Sequence, residues 1–276
     1  MIAMRATVLA SISRLLAHFA NWTTTHLSAH QAIGQPIITS LYNADYRART
    51  ELQRLQARGS SSLRAFSSPL IAMRDDLVIF DVGARGGILP KFEYLRKSAE
   101  WHLFEPDPRE YRRLQNQYRR EDRVKIHQLA LDANDGVIDL HVTLKPGVAS
   151  TLRPTAGGRF TTVRKISVSS ATVATYCAET GARPFLIKLD TQGTEHRIFR
   201  GLGPIRPLVI WTELEGPGRY EGALEPAIVC SMLMDLGYEL VRERGDDYLF
   251  ILRSELQNAK TQAVINVFDD NSLAAR

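Results

Sequence analysis

The sequence predicts an α/β fold, a doubly wound, mostly parallel sheet with helices on both faces and a helical extension in front of it. Three observations carry that expectation. From residue 77 onward, short apolar runs alternate with stretches of helical periodicity, the pattern of strands joined by crossover helices. The first run ends in an acid and a glycine-rich turn, Asp81-Val82-Gly83-Ala84-Arg85-Gly86-Gly87. The last two runs flank Gly245-Asp246-Asp247, a hairpin signal. With 44% hydrophobic and 24% charged residues, the 276-residue chain has a globular composition. The part beyond residue 70 is long enough for one substantial core.

In chain order, Val8, Ile12, Leu15, Leu16 and Phe19 recur at helical steps, and Ile38, Leu41, Tyr42 and Tyr46 form a second helical pattern. Gly59-Ser60-Ser61-Ser62 and Ser67-Ser68-Pro69 suit a linker, which places the domain boundaries at 1–70, 71–256 and 257–276. Leu77–Asp81 is the first strand, and a helix follows through Lys91 to Arg96. Trp101–Glu105 is the second strand, with a helix opened by Pro106-Asp107-Pro108 and running to Tyr118. Val124–Leu129 is the third, Asn134-Asp135-Gly136 a turn, and Val137–Val142 alternates like an added antiparallel strand. Phe185–Asp190 and Leu208–Leu214 are further strands, followed by helices over Thr194–Arg200 and Pro226–Leu236. Tyr238–Val241 and Tyr248–Leu252 close the fold as a hairpin.

Charge is unevenly placed. The formal charge is +5, and residues 1–70 hold seven arginines against two acids, leaving 28 basic and 28 acidic residues beyond. A body without net charge argues against a nucleic-acid partner, whose phosphates select a basic surface. No run approaches the length of about 18 apolar residues that spans a membrane. The apolar start is interrupted by Arg14 and His18 and lacks a convincing cleavage site, so a cytoplasmic location is expected. Peripheral membrane contact through residues 1–20, docking to another subunit as in a homo-oligomer or to an anionic glycan acceptor, and a plain soluble helix stand as readings of the basic extension. Cys177 and Cys230 have no metal-cluster spacing, and no metal is expected.

The turn after the first strand is the strongest local signal. It lets backbone approach a ligand closely and lead into a helix N-terminus. The spacing of Gly83, Gly86 and Gly87 is not that of a dinucleotide fingerprint, and Asp81 would repel a pyrophosphate but suit a cationic ligand. Glu105 follows Asp81 by 24 residues at the end of the second strand, where an acid accepts ribose hydroxyls in Rossmann-type sheets. Asp132, after the third strand, is placed for an adenine edge or for a turn.

Taken together, DVGARGG, FEPDPREYRRL, the LALD turn and FLIKLDTQGTEHRIFRG resemble the FkbM family of class I S-adenosylmethionine-dependent methyltransferases. The likeness runs from about Val78 to Leu252 and leaves out residues 1–70. It implies a Rossmann-like sheet of seven strands with the last antiparallel, and methyl transfer to a hydroxyl oxygen. It further implies that Asp81, Gly83 and Gly87 line the methionine part of S-adenosylmethionine; Ala84 and Arg85 of the same turn join the cofactor-binding set, with Arg85 placed to meet the cofactor's carboxylate or a substrate's. Glu105, with Pro106 beside it, would meet the ribose, and Asp132 the adenine. Arg85 stands where the family commonly has Asn, and Thr191-Gln192 where it commonly has Val-Glu, so the acceptor does not transfer with the likeness.

A hydroxyl acceptor needs its proton removed as the new bond forms. Lys188 and Asp190 share one side of the fourth predicted parallel strand and are expected to pair, with Asp190 at the ligand-binding edge. Asp190 is then the base, an orienting group, or a cap for Thr191-Gln192-Gly193. His196 on the next helix, and Glu213 with Glu215 on the next strand, complete the catalytic candidates. The resulting expectation is an O-methyltransferase for a carbohydrate or small natural-product hydroxyl. The rival readings are a non-catalytic cofactor-binding module, a nicotinamide dehydrogenase and a nucleic-acid methyltransferase.

Overall fold

The computed structural model describes residues 77–258 except 90, 91, 93, 94, 146 and 156–159, together with 10–16, 40, 41, 44, 48 and 261. The expected linker, most of the extension and most of the C-terminal tail lie outside the described residues. So do Lys91, Glu93 and Tyr94 of the helix expected over 91–96, in which Phe92 and Leu95 show 3₁₀ turns.

Ten strands and four helices follow one another in the body. They are β1 (Val78–Val82), β2 (Glu100–Phe104), α1 (Pro108–Tyr118), β3 (Val124–His127), β4 (Ala130–Leu131), β5 (Gly136–Thr143) and β6 (Thr162–Ala171). Then come α2 (Val173–Thr180), β7 (Leu186–Leu189), α3 (Glu195–Arg200), β8 (Val209–Glu213), α4 (Pro226–Asp235), β9 (Tyr238–Arg244) and β10 (Asp247–Leu252). The main sheet has seven strands in the order β3-β2-β1-β7-β8-β10-β9, and β10 alone runs antiparallel to its neighbours.

The strands are apolar on both sides because both faces are covered. Ile79, Trp101, Leu103 and Leu186 pack with Leu114 and Tyr118 of α1 on one face. Phe80, Val82, Phe104, Ile187 and Ile210 pack on the other with Tyr176 of α2, Phe199 of α3 and Leu233 of α4. Helix α1 starts where Asp107 accepts the Arg109 N–H at 2.8 Å, with Pro108 at the position where a missing N–H costs nothing.

A second sheet was not foreseen. The expected strand at 137–142 is β5, but its partner is β6, and with β4 they form a three-stranded sheet in the order β4-β6-β5. The β-branched run Thr162-Val163, Ile166 and Val168 is the signal for β6, and Thr172, which accepts the Thr175 N–H, is the cap that opens α2. At the other end of the chain, residues 10–16 are helical with Ile12 and Leu15 exposed and Ser13 buried. The expected apolar stripe is therefore not the inward side of that turn. Leu41 packs against Leu144 at the end of β5. Among the described residues no helix is long and apolar enough to cross a membrane.

Candidate active site

The strand order reverses between β1 and β7, and a crevice opens at their carboxyl ends. At that point Gly83 adopts φ +76°, and a side chain there would put a Cβ 2.0 Å from the Asp190 carbonyl oxygen. Glycine is thus required by the approach of the two strand ends. A cleft of about 900 Å³, counting space open to solvent, lies above them between the main sheet and the second sheet. Its walls come from Val82, Gly83 and Arg85 at and after the end of β1, Phe104 to Asp107 and Glu110 at and after the end of β2, Leu129–Leu131, the end of β5, Gly147, Ala149, Ser150 and Thr151, and Asp190 to Gln192 with Thr194 after β7.

Glu105 is buried at the cleft wall, and its Oε1 accepts the Asp107 N–H at 2.9 Å. Burial pushes its carboxyl up to about 7, against the lowering pull of that N–H and of the Arg85 guanidinium. Arg85 reaches Glu110 at 3.4 Å and packs beside Gly147. Across the cleft mouth Arg164 of β6 pairs with Asp107 at 3.0 Å, which ties the second sheet to the start of α1.

The other expected residues divide into those the cleft exposes and those it does not. Gly83, Arg85, Glu105, Pro106 and Asp190 line it. Asp81 is 2% exposed and stands in register with Lys188 on β7, whose Nζ is 3.0 Å from its Oδ1. The cation expected opposite Asp81 is therefore supplied by the protein, and neither residue lines the cleft. Lys188 is also 3.8 Å from Asp190 Oδ2, so the expected Lys188–Asp190 pair is the looser of its two contacts. Ala84 is buried in the core, and Gly87 faces Tyr118 and Gln117 of α1, where a Cβ would lie 2.2 Å from the Tyr118 hydroxyl. The turn's N–H groups are engaged too: Gly83 and Ala84 both donate to Phe104 O at 3.1 Å, and Ile88 donates to the Tyr118 hydroxyl at 2.8 Å.

Asp132 is 1% exposed and takes Arg197 of α3 as a partner at 2.9 Å, while its Oδ1 caps the Ala133 N–H at 2.6 Å. It does not line the cleft, because the carboxylate turns toward α3. His196 is buried on α3, and its imidazole is held below its ordinary range by burial and then by the Arg200 and Arg197 charges. Glu213 ends β8 opposite Asp247 of β10. Neither belongs to the cleft wall. Glu215 accepts from Arg219 and is raised above its ordinary range by burial.

Two residues beyond the expected catalytic set shape the Asp190 loop. Glu195, 3% exposed, gathers Thr191 N–H and Oγ1–H at 2.9 Å each and Gly193 N–H at 3.3 Å on one oxygen. Burial raises it to about 7. Gln192 donates from Nε2 to Asp190 Oδ1 at 2.8 Å. An acid opening a helix, just after a glycine turn, is the sequence signal for the first; the second carries none beyond its unusual place in the motif.

The site therefore combines a buried acid and a guanidinium with apolar walls from Phe104, Leu131 and Leu140, and has a carboxylate at the far side. A sheet of this order, with an antiparallel final strand and a crevice at the switch point, defines a Rossmann-like α/β protein. Residues 81–240 match the methyltransferase FkbM domain, and the chain belongs to that family. It is a methyltransferase.

Among curated proteins, the 2-O-methyltransferase NoeI of Sinorhizobium fredii (strain NBRC 101917 / NGR234) is 28% identical over 198 residues, which is 66% of this chain and 81% of NoeI. Two solved structures are more distant. The 1,6-didemethyltoxoflavin-N1-methyltransferase of Burkholderia thailandensis, bound to 1,6-didemethyltoxoflavin and S-adenosylhomocysteine, aligns at 14% identity and a TM-score of 0.32. That alignment covers 75% of this chain and 84% of the other. The mitomycin 7-O-methyltransferase MmcR aligns at 16% identity and a TM-score of 0.34, over 84% of this chain and 67% of its own. Scores of this size establish no residue correspondence.

Proposed function

We propose that the chain transfers a methyl group from S-adenosylmethionine to a hydroxyl of a carbohydrate or small natural product. The observation that carries the proposal is Glu105, a buried carboxyl set at the end of β2 on the wall of an open cleft. An acid so placed is costly unless a ligand's donors meet it, and a ribose diol offers two. Arg85 has the charge to receive an amino-acid carboxylate, and Phe104, Leu131 and Leu140 offer apolar surface to a flat base. Those residues fit the donor. When bound, the donor supplies a methyl already activated on a sulfonium sulfur.

The protein's part is to hold the acceptor oxygen in line with that methyl and to take its proton. Asp190 is the proposed base. It stands at the carboxyl end of β7 on the cleft wall, its side chain 36% exposed, with Lys188 3.8 Å behind it. The name of the curated relative, a 2-O-methyltransferase, supports oxygen as the atom methylated.

Calorimetric titration with S-adenosylhomocysteine tests the donor half: Glu105→Ala should lose measurable binding while keeping the wild-type melting profile. A screen of glycosides and polyols with isotopically labelled donor tests the acceptor half. Label incorporation that Asp190→Asn abolishes supports the reading; full incorporation by Asp190→Asn overturns it.

A further inference from the structure

We propose that Gln192 is a positioning residue, an amide clamp that fixes the Asp190 carboxylate and ties it to the segment carrying Val148 and Ser150. The inference rests on the assignment of Asp190 to the acceptor side of the site.

Gln192 is the one non-glycine residue with positive φ, +60°, among the described residues. That conformation is strained for a residue with a side chain and persists where surrounding contacts hold it. Here they come from three directions. The side-chain Nε2 donates to Asp190 Oδ1 at 2.8 Å. The Oε1 lies 3.1 Å from the Tyr220 hydroxyl, whose single proton is shared between that oxygen and Val148 O at 2.9 Å. The main-chain oxygen accepts Ser150 Oγ–H at 2.8 Å, and Ser150 in turn receives the Leu152 N–H at 3.0 Å. The amide orientation follows from these neighbours, since the reversed amide would set Oε1 against a carboxylate.

The surroundings explain why an amide stands there. Asp190 is faced by Lys188 Nζ at 3.8 Å, and its charge also acts on Glu195, Glu215 and Tyr220. A carboxylate at 192 would add another acid within hydrogen-bonding distance and compete with Asp190 for a proton. The neutral amide instead gives Asp190 a fixed donor on one oxygen and leaves Oδ2 toward Lys188. Ser150, Gln192 and Asp190 all line the cleft, so the clamp joins its two walls.

The test follows Asp190 directly. In full-length protein with ¹³C-carboxyl-labelled aspartate, the Asp190 resonance is assigned by its loss in Asp190→Asn and followed at fixed pH. Gln192→Met, which keeps length and removes both polar atoms, should move and broaden that resonance, because the carboxylate loses its fixed donor. Gln192→Glu should move it too, because an acid then stands where the donor was. On any glycoside that the labelled-donor screen identifies, both variants should lower kcat about tenfold or more, with S-adenosylhomocysteine affinity unchanged within about twofold.

A purely structural role would lower the melting temperature without moving the Asp190 resonance. If either variant fails to fold, Tyr220→Phe loosens the outer contact with the amide in place and should move the same resonance in the same direction as Gln192→Met. An unmoved Asp190 resonance in the folded variants overturns the proposal. Wild-type turnover by Asp190→Asn overturns the Asp190 assignment instead and leaves the resonance result standing.

Discussion

Asp81 and Lys188 are a buried pair made by register: β1 and β7 run parallel, and residues 81 and 188 stand directly beside each other. An acid before the glycine turn reads in the sequence as a ligand for a cation, and only the pairing of two distant strands shows that the cation is Lys188. Removing one partner strands a buried charge. Lys188→Met should destabilise the fold by about 3–5 kcal/mol in urea unfolding, and adding Asp81→Asn should restore more than half of that. Glu105 is the opposite case, legible from its place at a strand end and confirmed as a buried acid on the cleft wall. Its pKa of about 7 means that much of it is protonated near neutrality in the free protein. Donors from a ribose favour the carboxylate, so S-adenosylhomocysteine affinity should strengthen from pH 6 to pH 8, with proton release on binding. Calorimetry in buffers of different ionisation enthalpy measures that release, and Glu105→Gln should remove it.

Helices and strands were largely legible where their surroundings are simple. The parallel strands announce themselves as apolar runs because both of their faces are buried, and α1 shows its start through Asp107 and Pro108. The second sheet did not, because Arg164 and Lys165 put a charge on each side of β6 and its partners on β5 lie 19 to 34 residues away. Another contact between elements is equally invisible in the sequence. Tyr176 of α2 sits between His102 of β2 at 2.6 Å and His127 of β3 at 2.8 Å, and His102 Nε2 faces Glu100 at 2.7 Å. With Glu100 accepting from Nε2–H, the bare Nδ1 of His102 accepts the tyrosine proton, and Tyr176 accepts from His127. Both imidazoles are held below their ordinary range chiefly by burial, His127 at about 4.

A depressed imidazole leaves stability intact above the unfolded value of 6.5 and loses it as pH falls toward 4. Glu105 and Glu195, raised to about 7, slope the other way, but they titrate alike in a His127 variant. The difference between wild type and His127→Gln therefore isolates the imidazole. It should move by about 2 kcal/mol in favour of the variant between pH 8 and pH 5 in urea unfolding. A constant difference over that range would place the His127 shift elsewhere.

Over the whole molecule, charge and site occupy different parts of the chain. Residues 1–70 carry the whole formal excess of +5, whereas every described residue lining the cleft lies between Val82 and Thr194. Removing 1–70 brings the formal charge to zero, so retention on a cation exchanger at pH 7 should largely disappear. Donor binding should behave differently. A ligand present at 100 times its Kd stabilises the folded state by about 2.7 kcal/mol. The truncated protein should therefore keep the wild-type rise in melting temperature on adding S-adenosylhomocysteine, even where its own baseline drops. Some drop is expected, because Leu41 covers Leu144, which adjoins the cleft-lining Thr143 and Lys145. A truncated protein that folds but no longer responds to S-adenosylhomocysteine would assign that contact to the cleft wall. Leu41→Ala in the full chain would then reproduce the loss.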